Sequence, residues 1–585
     1  NNQLKHNNMK HLLLSVRQVW RRLGQSRNIV PATVILLTAL LLLRALQGFN
    51  ASDDGFVLSA YALAFTSPGS VAYSFLYYWL VNIGAAWNAV FHDLGIYGFR
   101  VFECAVLALN ALLVSHVCGM ANIRKWCVAT ALVLAYSRLY WVEVFEYNSA
   151  SGLVASLIVL LMMTAFTRRS PKWMLFAGAA FGFGVFVRLP NAALGLLLLG
   201  VIPYSRLANY PPRTLKMTLF AVIGALTGIA ATLAYMSAMG HLPHFKDALA
   251  DALFLVGNPE NSHSSCNMLL SVARNYVIAA ACLAALAACP AIYSVLSAKS
   301  GRVRGGRFAM ALLITAHLLA VVKCLPYNLF MLNGLCLAAC LYVGYVRRHD
   351  MPVACLSALA LLAAVLLPLG SDGGIGTFGI HNLWLAMPFV PCAAVLWLRR
   401  FKGERLEVNS AFVSSAFALL LAYNTYRTFM PAYYEQGTRL DDVCSISHPR
   451  AGVYTDAKTA HDINGLLAAM CTETAEGDTL LVLGHTPMIH YLTLTSPYLG
   501  NPWPWIFGAD YCRMRQTCAR RDGNELPVVV AVRADISRGD SLSKWAWGFL
   551  TDGQYTVAYQ NSTYTLYLPP RKARPQAVRR KSDGM

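Results

Sequence analysis

Two adjacent carboxylates, Asp53 and Asp54, stand in the stretch GFNASDDGF, where the first long apolar segment of the chain ends. A neighbouring carboxylate and partial burial raise the pKa of one member of such a pair toward neutrality, where it becomes an effective proton acceptor. A plain solvated cap is the alternative interpretation. A second acidic pair, Glu143 and Glu146, follows the third apolar segment with a spacing that would place both on one helix face if this turn is helical.

Further ionisable and polar side chains are expected on the same side of the molecule. They are Arg138, Arg188, Lys323, Asp372, His381 and Asn382. Ionisable groups at membrane depth are costly, which makes them functional candidates by default. For Arg44, Arg100 and Lys323, the alternative interpretation is that a long side chain snorkels to the interface.

The composition defines the elements that must position these residues. The chain has 585 residues, of which 57% are hydrophobic and only 13% charged, a balance that excludes a soluble globular domain. Apolar segments long enough to cross a hydrocarbon core of about 30 Å recur along it and predict an α-helical polytopic membrane protein. The thirteen predicted spans are 29–47, 99–118, 126–142, 150–167, 173–188, 190–204, 216–238, 277–297, 308–325, 329–346, 352–369, 383–398 and 410–428.

The formal charge of +20 comes from basic residues that fall in alternate loops. This positive-inside pattern predicts a cytoplasmic N-terminus and, after an odd number of crossings, an exported segment from residue 431 onward. The charge therefore reports topology, and we expect no nucleic-acid partner. We also predict no cleavable signal peptide, because the first apolar segment is too long and lacks a cleavage pattern.

The sequence divides into a membrane domain at 1–430, with an aromatic-rich external loop at 51–97, and an exported α/β domain at 431–568. The loop is expected to lie along the interface as an amphipathic segment. Residues 569–585 are basic, lack an apolar period and are predicted to be a disordered tail.

Within the exported domain, DTLLVLGH and LPVVVAV predict buried strands, and YTVAYQNSTYTLYL predicts a closing hairpin. Trp503 and Trp505 offer either a rigid carbohydrate platform or packing against the first external loop. Four cysteines lie here, namely Cys444, Cys471, Cys512 and Cys518. Disulfides are one expectation in an oxidising compartment, with Cys512 to Cys518 the closest pair.

A carboxylate pair within DDGF after the first span, an external loop with interfacial helices and a C-terminal exported domain resemble the GT-C glycosyltransferases. The run from DDGFVLSAYALAFTSPGSVAYSFLYYW to FRVFECAVLALNALL is similar in layout to mycobacterial-type arabinofuranosyltransferases. GDTLLVLGHTPMIHYLTLTSP is similar to the domain that ends many bacterial lipid-linked sugar transferases. We expect no counterpart of the long carbohydrate-binding extensions of the arabinosyltransferases, so the resemblance does not carry over their acceptors.

The resemblance implies transfer of a sugar, such as a pentofuranose like arabinofuranose, from a polyprenyl-phosphate donor to a glycan, lipid or protein acceptor. It implies a multi-pass protein of the bacterial inner membrane with its site on the periplasmic or exterior face. Asp53 or Asp54 would be the catalytic base. Phosphate-binding candidates are Arg138, Arg188 and Lys323.

The substrate-binding candidates under this resemblance are Glu143, Glu146, Tyr77, Trp79, His381 and Asn382. No cofactor is certain, and a divalent cation (Mg²⁺, Mn²⁺ or Ca²⁺) on Asp53, Glu143 and Glu146 is an open alternative. Membrane lipids are expected partners. The rival hypotheses are a polytopic transporter or lipid-linked-glycan flippase, and a glycan polymerase or ligase.

Overall fold

The computed structural model describes residues 28–207, 211–258, 263–297, 306–433, 435–522 and 525–570. The predicted tail at 569–585 lies outside these ranges except for its first two residues. Most of the basic N-terminal segment, which contributes to the predicted topology, also lies outside them.

The membrane part consists of helices, including several short 3-10 turns. In chain order they are Ile29–Arg44, Asp53–Leu63, Pro68–Tyr77, Tyr78–Phe91, His92–Leu94, Gly95–Met120, Lys125–Arg138, Tyr147–Arg168, Lys172–Val185, Leu189–Leu194, Gly195–Leu198, Val201–Leu207, Pro211–Ala238, Leu242–Gly257, Ser265–Leu296, Gly306–Cys324, Leu325–Tyr327, Asn328–Val346, Met351–Leu366, Ile375–Phe378, Phe389–Leu398 and Gly403–Thr428.

Six helical segments in the described chain are long and apolar enough to cross a membrane. Each of the thirteen predicted spans overlaps a helix, but several of these are short; Lys172–Val185, for example, has 14 residues. Leu242–Gly257 falls between two predicted spans and is absent from the prediction. The chain is therefore an integral membrane protein, and the count of thirteen crossings stays a prediction.

The segment predicted at 51–97 to lie along the interface folds into consecutive helices with buried aromatic side chains. Tyr61, Phe75 and Tyr78 are each at most 1% exposed, and the Tyr61 hydroxyl donates to the carbonyl of Phe145 at 2.7 Å. Full burial of a large apolar side chain contributes about 1.5–3 kcal/mol. Packing inside the protein, rather than anchoring at a lipid surface, accounts for these three residues.

The C-terminal part contains a five-stranded sheet. Its spatial order is Ser496–Pro497, Thr479–Leu483, Val528–Val532, Tyr564–Leu568 and Thr556–Gln560, with the first three strands parallel and the last two antiparallel to their neighbours. The helices of this part are Arg439–Asp441, Ala457–Glu473, Met488–Thr493, Pro504–Phe507, Gly508–Arg521, Arg533–Ile536 and Ser541–Asp552. A second, antiparallel sheet pairs Cys444–Ser445 with Tyr454–Thr455. The two central parallel strands are apolar and almost fully buried, as expected for strands covered on both faces.

The C-terminal part packs directly on the helix that begins with the acid pair. The amide of Met488 donates to the carbonyl of Ala51 at 3.0 Å, and the Ser59 hydroxyl donates to the carbonyl of Pro487 at 3.1 Å. A Cβ on Gly55 would lie 2.3 Å from the Met488 nitrogen, so only glycine permits this approach. Helix Asp53–Leu63 is thereby fixed against the C-terminal part.

The expected disulfides are not formed, since all fifteen cysteines are free. Cys512 and Cys518 lie on one helix, Gly508–Arg521. Six residues of helix span about 9 Å along its axis, too far for a disulfide. Cys512 is instead a buried apolar residue of the C-terminal core.

Candidate active site

The acid pair occupies the first two positions of helix Asp53–Leu63, where the helix dipole favours negative charge. The two carboxylates differ in environment: Asp53 is exposed, whereas Asp54 is 1% exposed. Both contribute to a cavity of about 620 Å³, here called the acid cavity. Its other walls are Phe56, Val57, Tyr73, Tyr77, Glu143, Val144, Glu146, Tyr147, His263, Trp503, Ile506 and Phe507.

Asp54 forms a buried ion pair with Arg100. Arg100 Nη2 lies 3.2 Å from Asp54 Oδ2, and the two side chains are 0% and 2% exposed. Asn50 donates to the other oxygen of Asp54 at 3.4 Å. The sequence-based alternative of snorkelling for Arg100 is wrong, because its guanidinium points into the protein to meet a carboxylate.

The surroundings raise the pKa of both carboxyl groups. Asp53 opens to the cavity, but protein atoms surround its carboxyl group, and this desolvation is the main cause that raises its pKa to about 6, with repulsion from Glu143 and Asp372 adding to it. Desolvation also raises the pKa of Asp54, to about 7, against the opposing effect of the Arg100 guanidinium. A carboxylate with a pKa near 6 is ionised at neutral pH and basic enough to take a proton from a hydroxyl.

A second cavity, of about 680 Å³, shares Glu143 and Glu146 with the acid cavity and is here called the arginine cavity. Its remaining walls are Leu41, Glu103, Leu107, Arg138, Leu139, Tyr140, Trp141, Val142, Gly376, Thr377, Phe378, Gly379, Ile380 and His381. Glu143 and Glu146 therefore stand where the two cavities adjoin, so a reaction between groups held in the two cavities would take place beside them.

Glu143, Glu146 and His381 form a group that could hold a cation. One carboxylate oxygen of each glutamate and one ring nitrogen of His381 lie within 4.8 Å of one another. His381 is 7% exposed, and its Nδ1 has no hydrogen-bond partner. Burial lowers the pKa of His381 to about 4, so the ring is neutral and able to act as a ligand. Asp53, predicted to share this role, is not part of the group.

Arg138 and Arg427 both lie close to the ring of Tyr140. Their Cζ atoms lie 4.4 and 5.2 Å from the centroid of the Tyr140 ring. The Tyr140 hydroxyl donates to Asn424 Oδ1 at 2.9 Å and accepts from Asn328. In the described ranges no ion pair joins either arginine to an acid, and the Nε of each lacks a partner. Arg138, which lines the arginine cavity without an ion-paired acid, is therefore suited to bind an anion there, with Arg427 beside the same ring as a second source of positive charge.

Of the other two predicted phosphate ligands, neither lines a described cavity. Arg188 is buried, and its two terminal nitrogens donate to the carbonyl of Leu367 at 3.0 Å and to the Ser371 hydroxyl at 2.8 Å. Lys323 is exposed near the end of helix Gly306–Cys324. Arg138 is thus the one member of the predicted set that reaches a cavity wall.

The predicted substrate-binding residues divide in the same way. Tyr77 lines the acid cavity and stacks on Tyr147 with 4.9 Å between ring centroids. Trp79 lies outside both cavities, where its indole donates to Thr232 at 3.0 Å. Asn382 is 2% exposed and donates to Asn333 and to the carbonyl of Ala364 at 2.9 and 2.8 Å, so it is a packing residue.

One of the two tryptophans predicted as a carbohydrate platform reaches the acid cavity. Trp503 and Trp505 are both buried in the C-terminal core, at 7% and 3% exposed, and Trp503 also lines the acid cavity.

Sequence reasoning missed Glu103 on the wall of the arginine cavity, the ion pair of Arg100 with Asp54, and Arg427 beside Tyr140. Arg100 and Glu103 are three residues apart inside an apolar span, so both face one side of the helix. Two charges on one side of a membrane helix indicate a polar site, and this signal was available in the sequence. Glu103 accepts a hydrogen bond from the Ser149 hydroxyl at 2.7 Å. Arg427 gave no comparable signal. It lies in the last turn of helix Gly403–Thr428, and only the tertiary fold brings it to the Tyr140 ring that Arg138 also contacts.

Fold and site together define a helical integral membrane protein with two adjoining polar cavities, one of them roofed by a C-terminal α/β part. No family model matches this chain, and no curated protein sequence matches it. Among solved structures it is similar to ArnT from Cupriavidus metallidurans bound to undecaprenyl phosphate, with a TM-score of 0.44 and 12% identity over 93% of this chain and 98% of that chain.

The chain is also similar to the Archaeoglobus fulgidus oligosaccharyltransferase in the apo form, with a TM-score of 0.46 and 11% identity. That match covers 94% of this chain and 76% of the other. Likeness at this level assigns neither a family nor a function. The function must be argued from the side chains of the two cavities.

Proposed function

We propose that this protein is a GT-C-type membrane glycosyltransferase that moves a sugar from a polyprenyl-phosphate donor to an acceptor hydroxyl. The observation that carries the proposal is the exposed carboxylate of Asp53 in a cavity that shares Glu143 and Glu146 with an arginine-walled neighbour. A proton acceptor and an anion site on either side of one polar junction are what transfer from a phosphate-linked donor requires.

The proposed reaction has four linked events. The acid pair takes the proton of the acceptor hydroxyl, and the acceptor oxygen bonds to the anomeric carbon of the sugar. The bond from that carbon to the phosphate oxygen breaks, and polyprenyl phosphate leaves with the electron pair. Arg138 on the wall of the arginine cavity, and Arg427 beside the same Tyr140 ring, would stabilise the charge of the departing phosphate, since guanidinium groups already in place need little reorganisation.

A divalent cation on Glu143, Glu146 and His381 belongs to this proposal. The buried neutral imidazole with an unpartnered Nδ1 and two crowded carboxylates suit such an ion. The mixed oxygen and nitrogen set shifts the preference from Mg²⁺ and Ca²⁺ toward Mn²⁺ or Zn²⁺. When bound, the cation would neutralise negative charge at the junction of the two cavities.

The C-terminal part would serve as the roof of the acid cavity, where Trp503, Ile506 and Phe507 form part of the wall. Excluding water favours transfer over hydrolysis of the donor. The remaining elements of the proposal are a pentosyl or hexosyl donor, for example an arabinofuranosyl one, and a glycan, lipid or protein acceptor. The reaction would occur on the exported face of a bacterial inner membrane.

The test uses the purified full chain in nanodiscs with radiolabelled polyprenyl-phosphate pentoses and hexoses and a panel of acceptors. Wild type should release polyprenyl phosphate and label an acceptor. Asp53→Asn should lower turnover by about 10²–10⁴-fold, the usual contribution of a general base. Asp93→Asn is the matched control, because Asp93 is a 92% exposed acid of the same loop. In sealed proteoliposomes, movement of labelled lipid across the bilayer without release of polyprenyl phosphate would instead support a flippase and refute the proposal.

A further inference from the structure

The guanidinium of Arg100 connects three segments around the acid pair. Its Nη1 donates to the carbonyls of Ala45 and Gln47, each at 3.1 Å, after the first membrane helix. Its Nη2 donates to Asp54 at 3.2 Å and to the Tyr433 hydroxyl at 3.4 Å. Four of its contacts are therefore fixed inside the protein, where the side chain is 0% exposed.

These contacts leave Asp54 little capacity for a substrate. One oxygen of Asp54 accepts from Arg100 and the other from Asn50, and the residue is 1% exposed. Consecutive helix positions point about 100° apart. When Asp54 turns inward to Arg100, Asp53 is directed toward the open cavity, where it is exposed.

We infer that Arg100 divides the acid pair into an anchor and a base: it holds Asp54 as a buried counter-ion, and this positions Asp53 to take the acceptor proton. Arg100 is then a positioning residue, and Asp54 acts through it. The inference rests on the proposed function for the role of Asp53, but the anchor is a property of the fold. The geometry thus assigns different tasks to two identical neighbours.

Charge pairing gives the inference a sharp test. Removing one partner of a buried ion pair leaves an uncompensated charge, whereas removing both does not. Four proteins are compared with wild type in the same nanodiscs, namely Asp54→Asn, Arg100→Gln, the double variant and Asp53→Asn. Melting temperature, kcat and KM are measured for each, with the labelled donors described above.

Each single variant at Asp54 or Arg100 should melt below wild type, and the double variant should melt above both. The double variant should lose more turnover than the Asp93→Asn control but less than Asp53→Asn, with an unchanged KM, because the carboxylate of Asp53 remains while its anchor is gone. Asp53→Asn should melt like wild type and lose about 100-fold or more in kcat. Arg100→Lys should recover only part of the melting temperature, because an ammonium group cannot reproduce the forked contacts.

Two results would overturn the inference. A folded double variant as inactive as Asp53→Asn would make Asp54 itself the base. Melting temperatures that simply add, with no recovery in the double variant, would remove the anchor. If a single variant fails to fold while the double variant folds, that is the expected coupling in its strongest form. The melting cycle needs no turnover, so its failure is distinguishable from a failure of the proposed function.

Discussion

Replacing Arg138 or Arg427 by Gln should weaken the binding of a polyprenyl phosphate. The two guanidinium groups lie on one Tyr140 ring with no acidic partner in the described chain. Tyr140 itself is held by Asn328 and Asn424. Gln keeps a polar side chain but removes the charge, so the substitution tests the charge more than the packing.

The expected magnitude follows from the kind of contact that is lost. A hydrogen bond to a charged group contributes about 1.5–3 kcal/mol. Because 1.4 kcal/mol corresponds to tenfold in affinity, each substitution should raise the Kd for the phosphate about 10- to 150-fold. The double variant should lose more than either single variant but less than their product, since both arginines would contact the same phosphate.

The arginine cavity contains its own reporter, because Trp141 forms part of its wall. Titration of the detergent-solubilised full chain with a short-chain polyprenyl phosphate should change the tryptophan fluorescence. Trp141→Phe should abolish this change and leave only the constant fluorescence of the other tryptophans. Arg347→Gln is the matched control, because Arg347 is an arginine whose side chain is 46% exposed and already pairs with Asp350. Wild-type affinity in both Arg138→Gln and Arg427→Gln, with weakened binding in Arg188→Gln, would refute the assignment.

Three further outcomes are expected. Because the pKa of Asp53 is raised to about 6, transfer should fall about tenfold per pH unit below that value and level off above it. A limb centred near the ordinary aspartate pKa in a profile of kcat/KM would contradict this. Gly55→Ala places a Cβ 2.3 Å from the Met488 nitrogen and should lower the melting temperature. In the control Gly548→Ala, the added Cβ has no atom within 4 Å, so the melting temperature should not fall. Equal melting temperatures of the two variants would exclude the close approach of Met488 to Gly55. His381→Ala should lower the content of Mn²⁺ or Zn²⁺ measured by mass spectrometry after dialysis, and an unchanged content would place any ion elsewhere.

Hydropathy located the helices of the membrane part because a chain in lipid must satisfy its backbone hydrogen bonds internally. Hydropathy could not determine which of these helices cross the membrane completely. Lys172–Val185 is shorter than a bilayer needs, and Leu189–Leu194 is a 3-10 turn that interrupts a predicted span. The aromatic residues at 51–97 suggested an interfacial segment, since composition alone does not distinguish a ring at a lipid surface from one buried against a second part of the chain.

The candidate site was predictable where its residues are close in sequence. Asp53 with Asp54, and Glu143 with Glu146, could be recognised as acids beside apolar spans. Pairings between distant segments could not, and Arg100 shows why. An arginine in an apolar span has the same sequence signature whether it snorkels to water or meets a buried carboxylate, and only the fold separates these two outcomes.

Four consecutive residues, 53–56, meet four separate physical demands. Asp53 remains exposed in the acid cavity, and Asp54 satisfies a buried arginine. Gly55 admits the backbone of Met488, whose amide bonds to the chain just before the helix. Phe56 lines the cavity and packs edge-to-face with Tyr73, with 6.5 Å between the ring centroids. The position of the proposed base therefore depends on membrane and C-terminal parts together, because the residues on either side of it are fixed by contacts to both.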